Sequence, residues 1–298
     1  MYNHLLDTFI RAADLGSFTK ATTSLYTTTV SVMNQITALE KETGVTLFTR
    51  THHGVRLTEA GVHLYEAAKE IMALSDRAID EARHIEGTAQ ATIRIGTSLL
   101  RPCRRLMDYW TAHDTGTQPF QIQVIPFEDD PASMTNMFKS LGKDIDCFVS
   151  PCDSRTWQEN YAIYPLRTCT CCIAMSRRHS LAQKENLTWS DLDGETLMLL
   201  KPGESPALDA LRQEIETNHP AIQLVDLENF YDIAVFNECD QKGYLLEVPD
   251  TWTHVHPSIV TRPVTNWHYT MPFGIVYSRH PSRAFAQFLH CLDDYTKA

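Results

Sequence analysis

Glycine is scarce in this 298-residue chain, twelve in all, and the twelve are scattered. A phosphate-cradling loop needs glycines clustered where backbone approaches the ligand. The chain has no Walker loop, no dinucleotide fingerprint and no Gly-x-Ser-x-Gly elbow, so the common nucleotide enzymes and α/β-hydrolases are excluded and no catalytic residues are assigned. Long apolar runs are absent too. The longest, Ile122 to Ile125 and Thr196 to Leu200, fall far short of the roughly 20 residues that cross a bilayer. Met1 to Asp7 has no basic stretch followed by an apolar one, so no signal peptide is read and a cytoplasmic location is expected. The eight cysteines are then expected to be thiols. Cationic excess is missing as well. Lys and Arg number 26 against 37 Asp and Glu, a net charge of −11, which argues against a protein that coats nucleic acid non-specifically. The first 60 residues balance at five against five, so any DNA contact must come from local placement.

An apolar content of 43% with 21% charged residues is ordinary for a globular chain, and the length suits about two domains. Residues 1–58 read as short helices and a hairpin. Leu5, Phe9 and Ala12 recur at helical spacing and Gly16 stops the run. Ser17 caps a second helix with Phe18, Ala21 and Leu25 on one face, and Thr27 or Thr28 caps a third with Val32, Ile36 and Leu39 inward, ending at Gly44. Residues either side of Gly54 form the hairpin, and Thr58 caps a helix over about 59–86. In that helix Ala60, Leu64, Ala67, Ile71, Leu74, Ala78 and Ile85 approximate a heptad seam, the pattern of a dimer interface. Residues 87–91 are small and mark a domain boundary.

Beyond it strands and helices alternate. Strands are expected at 92–96, 121–126 and 145–149 with helices at 99–110 and 132–141, and a second such unit holds strands at 171–175, 196–200, 222–225 and 244–248 with a helix at 205–217. A strand at 273–277 and a helix at 284–295 close the chain. This βαβ grammar predicts parallel sheets with covering helices, in two lobes with a ligand cleft at the carboxyl ends of the strands.

Residues 17–40 make a helix-turn-helix pattern. Thr28, Thr29, Ser31, Asn34 and Gln35 lie off the apolar face of the third helix, and short polar side chains of this kind read base edges in a major groove. A three-helix bundle with a polar outer face fits the same spacing. The resemblance that decides lies in Leu6, Phe9, Ala12, Gly16-Ser17-Phe18, Ala21, Leu25, Gln35-Ile36, Leu39-Glu40, Gly44-Val45, Leu47-Phe48, Arg50 and Leu57 to Gly61. Together these resemble the N-terminal domain of LysR-type transcriptional regulators. The resemblance implies a winged helix-turn-helix over 1–58, a linker and dimerisation helix over 59–87, and a two-lobed, periplasmic-binding-protein-like α/β effector domain over 91–298. Its lobes would be about 91–165 with 266–298, and about 166–265. The family's paired alanines are Ala21-Thr22 here, its Ser-Gln is Thr28-Thr29, and its Ser-Arg is Met33-Asn34, so the operator sequence does not transfer.

On this reading DNA contacts fall to Ser17, Lys20, Thr28, Thr29, Ser31, Val32, Asn34 and Gln35, with Arg50, His52, His53 and Arg56 on the wing. Thr97 and Ser98, placed before a helix, make a natural anion site, and Lys201 to Ser205 hold the equivalent place in the second lobe. The resemblance adds Phe127, Glu128, Ser150, Gly203, Phe230 and Tyr231 to an effector cleft. It implies a homodimer, then a homotetramer, on an imperfect inverted repeat of double-stranded DNA, with contact to RNA polymerase and an unidentified small-molecule effector. No cofactor, metal or membrane partner is expected. Two rival readings stay open: a thiol- or metal-responsive regulator using Cys169, Cys171 and Cys172, and a ligand-binding protein that does not bind DNA.

Overall fold

The computed structural model describes residues 2–51, 54–86, 90–112, 120–227 and 231–296. The chain divides into two compact units, Met1–Ala89 and Gln90–Ala298. The first unit opens with three helices whose ends are written locally. Helix α1 (Leu5–Leu15) stops at Gly16 in the left-handed region. Helix α2 (Phe18–Leu25) starts where the Ser17 side chain accepts from Lys20 N–H. Helix α3 (Thr29–Thr43) starts where Thr28 accepts from Ser31 N–H, and closes at Gly44. Phe9, Ala12, Ala21, Val32, Ile36 and Leu39 point inward and form the core, joined by Leu47 and Phe48. The Phe9 and Phe18 rings meet Phe48 edge-on at 5.5 and 5.3 Å.

Strands β1 (Phe48–Thr51) and β2 (Gly54–Leu57) pair antiparallel, Thr51 opposite Gly54. The glycine is required. A Cβ at Gly54 would lie 2.3 Å from the Gly16 carbonyl oxygen, so this wing can pack on the α1–α2 corner only without a side chain there. Glu40 fastens the other end, its carboxylate accepting from Leu47 N–H at 2.7 Å and Phe48 N–H at 3.3 Å. Helix α4 (Glu59–Ile85) follows, with Thr58 accepting from Gly61 N–H. Its first turns pack on the core through Leu64, Tyr65 and Ala68. Ile71 and Leu74 stay 47% and 61% exposed.

In the second unit β3 (Ala91–Thr97), α5 (Arg104–Ala112), β4 (Phe120–Pro126), α6 (Pro131–Ser140), β5 (Cys147–Pro151) and α7 (Arg155–Asn160) come first. Then come β6 (Ala162–Ser176), α8 (Trp189–Leu192), β7 (Thr196–Leu200), α9 (Pro206–Asn218), β8 (Gln223–Leu227), α10 (Ile233–Lys242) and β9 (Leu245–Pro249). Strands β10 (Ile259–Arg262) and β11 (Thr270–Tyr277) and helix α11 (Arg283–Thr296) end the unit. The strand order is β4-β3-β5-β11-β6-β9-β7-β8, with β10 on β6. Strands β4, β3 and β5 are mutually parallel, as are β8, β7 and β9.

The sheet as a whole is mixed rather than parallel. Strand β11 runs antiparallel to β5 and β6, and β6 antiparallel to β9 and β10. The expected strand at 171–175 is the end of β6, fifteen residues long. Its first part, to Thr170, pairs with β11; from Cys171 it pairs with β9. One strand thus belongs to both halves of the unit. Beside the register shift at Phe273 and Gly274, a Cβ on Gly274 would lie 2.3 Å from the Tyr164 carbonyl oxygen. One further expectation is corrected. The helix expected from residue 99 begins at Arg104, because residues 98–101 fold around Asp129 instead.

Candidate functional site

Consider first the surface that the head offers. Off the buried face of α3, Thr28 and Asn34 are exposed, and Thr29, Ser31 and Gln35 are half-buried. The Gln35 amide oxygen accepts from the Thr8 hydroxyl of α1, so part of its polar capacity is spent inside the head. Val32 is fully buried in the core; it is removed from the base-reading set, because helical spacing turns it onto the Ile36 and Leu39 face. Ser17 is half-buried and its hydroxyl serves as a cap, while Lys20 is exposed. Arg50 and Arg56 are exposed on the wing strands; His52 and His53 lie outside the described residues.

Sequence reasoning missed two residues on this surface. Tyr26, in the turn before α3, is 97% exposed and has a φ of 49°. Val30, in the first turn of α3, is 68% exposed. A bulky residue placed in a left-handed turn, and an apolar one off the helix's inner face, were the available signals.

The second site is a cavity of about 80 Å³ in the effector unit, lined at the carboxyl ends of β5, β7 and β9 by Ser150, Leu200 and Pro249. Trp157, Tyr231 and Trp252 supply aromatic walls. Tyr231 and Trp252 meet edge-on at 4.9 Å, and the Trp252 indole N–H donates to the Leu100 carbonyl at 2.6 Å. Of the sequence-predicted effector residues, the cavity brings together Ser150, Ser205 and Tyr231. Phe127 and Glu128 face a separate open depression beside α6. Thr97, Ser98, Lys201 and Gly203 are not among the cavity's lining, and Phe230 lies outside the described residues.

At both places where an anion site is expected, the chain's own carboxylates take the donors. Asp129 receives the Ser98 hydroxyl at 2.7 Å, the Leu100 N–H at 3.0 Å and the Arg101 guanidinium. Thr97 is engaged as well, its hydroxyl accepting from Cys103 N–H at 3.2 Å. Asp153 receives the Ser205 hydroxyl at 2.6 Å and the Ala207 N–H at 2.9 Å. Glu204 accepts from Ser154 and Thr156, and Gly203 N–H is held by Asp209 at 2.8 Å.

Two polar side chains of the cavity are buried deeply and only partly satisfied. Arg101 is 3% exposed; its Nε has no hydrogen-bond partner and its guanidinium lies 5.8 Å over the Trp157 ring. Burial pushes its pKa down, against the pull of Asp129. Glu247 has no exposed surface. Tyr231 donates to its Oε2 at 2.7 Å, and Oε1 has no hydrogen-bond partner. Burial raises its carboxyl to about 7, opposed by the hydrogen bond from Tyr231 and by the neighbouring Cys171 thiol. Neither Glu247 nor Arg101 was singled out from sequence.

The cysteines divide as strand alternation predicts: Cys169 and Cys171 on one core face, Cys172 on the other. Burial pushes the Cys169 and Cys172 thiols up to about 12 and Cys171 higher still. A thiol held protonated is a poor nucleophile and a poor metal ligand, which weighs against the thiol-sensing reading. Among the described residues no three His, Cys, Asp or Glu side chains cluster to hold a metal, and no helix is long and apolar enough to cross a membrane.

Residues 4–62 match the family model of the bacterial regulatory helix-turn-helix protein, lysR family. Over 184 residues the chain is 32% identical to the HTH-type transcriptional activator AllS of Klebsiella pneumoniae, a match covering 60% of this chain and 65% of that protein. Its match to the AllS of Salmonella typhimurium covers 29% of that relative, so the chain spans less than two thirds of these relatives' length. The uncharacterized HTH-type transcriptional regulator YvbU of Bacillus subtilis is 25% identical over 259 residues, 86% of this chain and 85% of that one. Among solved structures, CbnR, a LysR family transcriptional regulator, shares the fold with a TM-score of 0.69 at 18% identity, over 99% of both chains. Full-length CbnR complexed with its target DNA gives the same TM-score over 99% of this chain and 100% of that one. Residues 4–62 thus match the helix-turn-helix of the lysR family in sequence, and the chain as a whole shares its fold with a full-length regulator of that family.

Proposed function

We propose that this chain is a sequence-specific DNA-binding transcriptional regulator of the LysR type, not an enzyme, whose activity responds to a small molecule held in the cavity of its α/β unit. The observation that carries the first half is the exposed face of α3, with Thr28, Val30 and Asn34, in the same head as the exposed arginines of the wing. Thr28, Thr29, Ser31, Asn34 and Gln35 offer hydroxyl and amide groups to base edges, and Val30 offers an apolar contact to a thymine methyl. Arg50 and Arg56 suit phosphate or a narrow minor groove, and so would His52 and His53, which fall between them in sequence; Lys20 and Ser17 suit backbone phosphate. The exposed Ile71 and Leu74 on α4 support a homodimer through that helix, and a twofold protein asks for an imperfect inverted repeat. A tetramer, contact with RNA polymerase and a cytoplasmic location complete the reading.

The cavity of Ser150, Ser205 and Tyr231 is the effector site in this reading. A ligand there changes regulation only through unequal affinity for two arrangements of the chain. A mobility shift on the DNA upstream of the protein's own gene tests the proposal, with wild type, Asn34→Ala and Arg50→Ala/Arg56→Ala. Gln35 is left intact because Thr8 uses its amide. The expected result is a sequence-specific shift weakened by either variant. Equal binding to any duplex, unchanged in both variants, overturns it.

A further inference from the structure

The cavity's polar chemistry is lopsided. In most open α/β sheets the donors at helix starts and strand ends are what a pocket offers a ligand, and they suit an anion. Here those donors are already taken. Ser98, Leu100 and Arg101 serve Asp129, while Ser205 and Ala207 serve Asp153. Two buried polar atoms of the lining residues remain without a partner: the Nε–H of Arg101, whose charge Asp129 already pairs, and the acceptor Oε1 of Glu247, on a residue with no exposed surface in the middle of β9. The charged lining has the same bias, with Asp153, Glu204 and Glu247 against Arg101 alone, and Arg101 is paired with Asp129. Two tryptophans and a tyrosine complete the wall, faces that attract a cation or the N–H edge of an amide.

We propose that this cavity selects a small N–H donor headgroup, an alkylammonium or a carboxamide, that bonds Glu247 Oε1 between Trp157, Tyr231 and Trp252, and that it rejects carboxylates. The proposal rests on the cavity being the effector site. A carboxylate would meet three acidic side chains with no unpaired cation, and would leave Oε1 unsatisfied, a cost of at least tenfold in affinity, about 1.4 kcal/mol. An N–H donor satisfies Oε1 and leaves the two internal aspartates in place.

The test is a matched series on the full chain: butylamine hydrochloride, butyramide and sodium butyrate, identical in length and differing only in headgroup. Tryptophan fluorescence reports binding, because Trp157 and Trp252 line the cavity, and the thermal midpoint gives a second reading. Fragments of this size bind in roughly the millimolar range. The expected result at pH 8 is saturable quenching by the amine, the amide or both, at least tenfold tighter than by butyrate. Glu247→Gln should weaken the amine at least tenfold and the amide much less, which separates the charged from the neutral source. Butyrate binding as tightly as the other two overturns the selectivity while leaving an effector cavity in place. Silence from all three, with the tryptophans still reporting a folded chain, overturns both the selectivity and the effector site, and leaves the DNA-binding proposal to its own assay. Because the wild-type comparison needs no substitution, a variant that fails to fold does not spoil it.

Discussion

Between Ser17 and Arg56 one short stretch of the head supplies every group proposed to meet DNA, on two helices and a hairpin that adjoin in sequence. The cavity of the second unit is assembled the other way. Arg101, Ser150, Trp157, Ser205, Tyr231 and Glu247 come from separate strands, helices and loops across most of that unit. A surface built from neighbours is specified by caps and periodicity. A cavity built from distant residues is specified by which buried charge finds which partner, and that depends on the whole sheet. Substitutions in the head should therefore act locally and modestly, while substitutions around the cavity should reach stability and pH response.

The largest effect is expected from Arg101→Ala. It leaves Asp129 buried with no counter-charge, which costs roughly 3–5 kcal/mol. Calorimetry should show a lowered transition, and a change below about 1 kcal/mol would place Asp129 in contact with water. Next is Glu247. Its carboxyl sits at about 7 against an ordinary 4.5. Between those values the folded chain keeps a proton that the unfolded chain has released, so the stability this group contributes is fully present at or below about pH 4.5 and is lost as pH rises through about 7. The span is on the order of 3 kcal/mol. Urea midpoints of wild type and Glu247→Gln should diverge in that window, the wild type losing ground as pH rises. Parallel curves would place the carboxyl near its ordinary value.

Smaller effects belong to the head. Asn34→Ala should cost about 1–3 kcal/mol at one base pair of the operator and relax preference there. A uniform loss across all sequences would make Asn34 a backbone contact instead. Thr28→Ala removes the α3 cap and should cost about 1 kcal/mol of stability, read by chemical denaturation. Arg50→Ala and Arg56→Ala should each flatten the salt dependence of DNA binding by about one ion; an unchanged slope moves the wing off the phosphates.

The same contrast explains what the sequence made legible. Ser17, Thr28, Gly16, Gly44 and Gly54 announce their roles within a few residues, and Phe9, Val32, Ile36 and Leu39 follow helical spacing into the core. The end of β6 reads as a strand because Cys171 to Met175 is continuously apolar; its first part carries Pro165, Arg167 and Thr168 and pairs only because β11 lies alongside. Ser98 and Ser205 are recognisable as helix-start donors, but nothing local reveals that Asp129, 31 residues away, and Asp153, 52 residues away, fill them. Glu247 sits among Leu245, Leu246 and Val248 and looks like one polar residue in an apolar strand. Only the folded sheet shows both faces of β9 covered.

The central claim, a twofold regulator reading a defined sequence, is tested most directly by selecting duplexes from a random pool with the full chain. Enrichment of two related half-sites in inverted orientation is expected, with one half-site position losing its preference when the selection is repeated with Asn34→Ala. Recovery of duplexes with no common sequence, or of none above background, would contradict it.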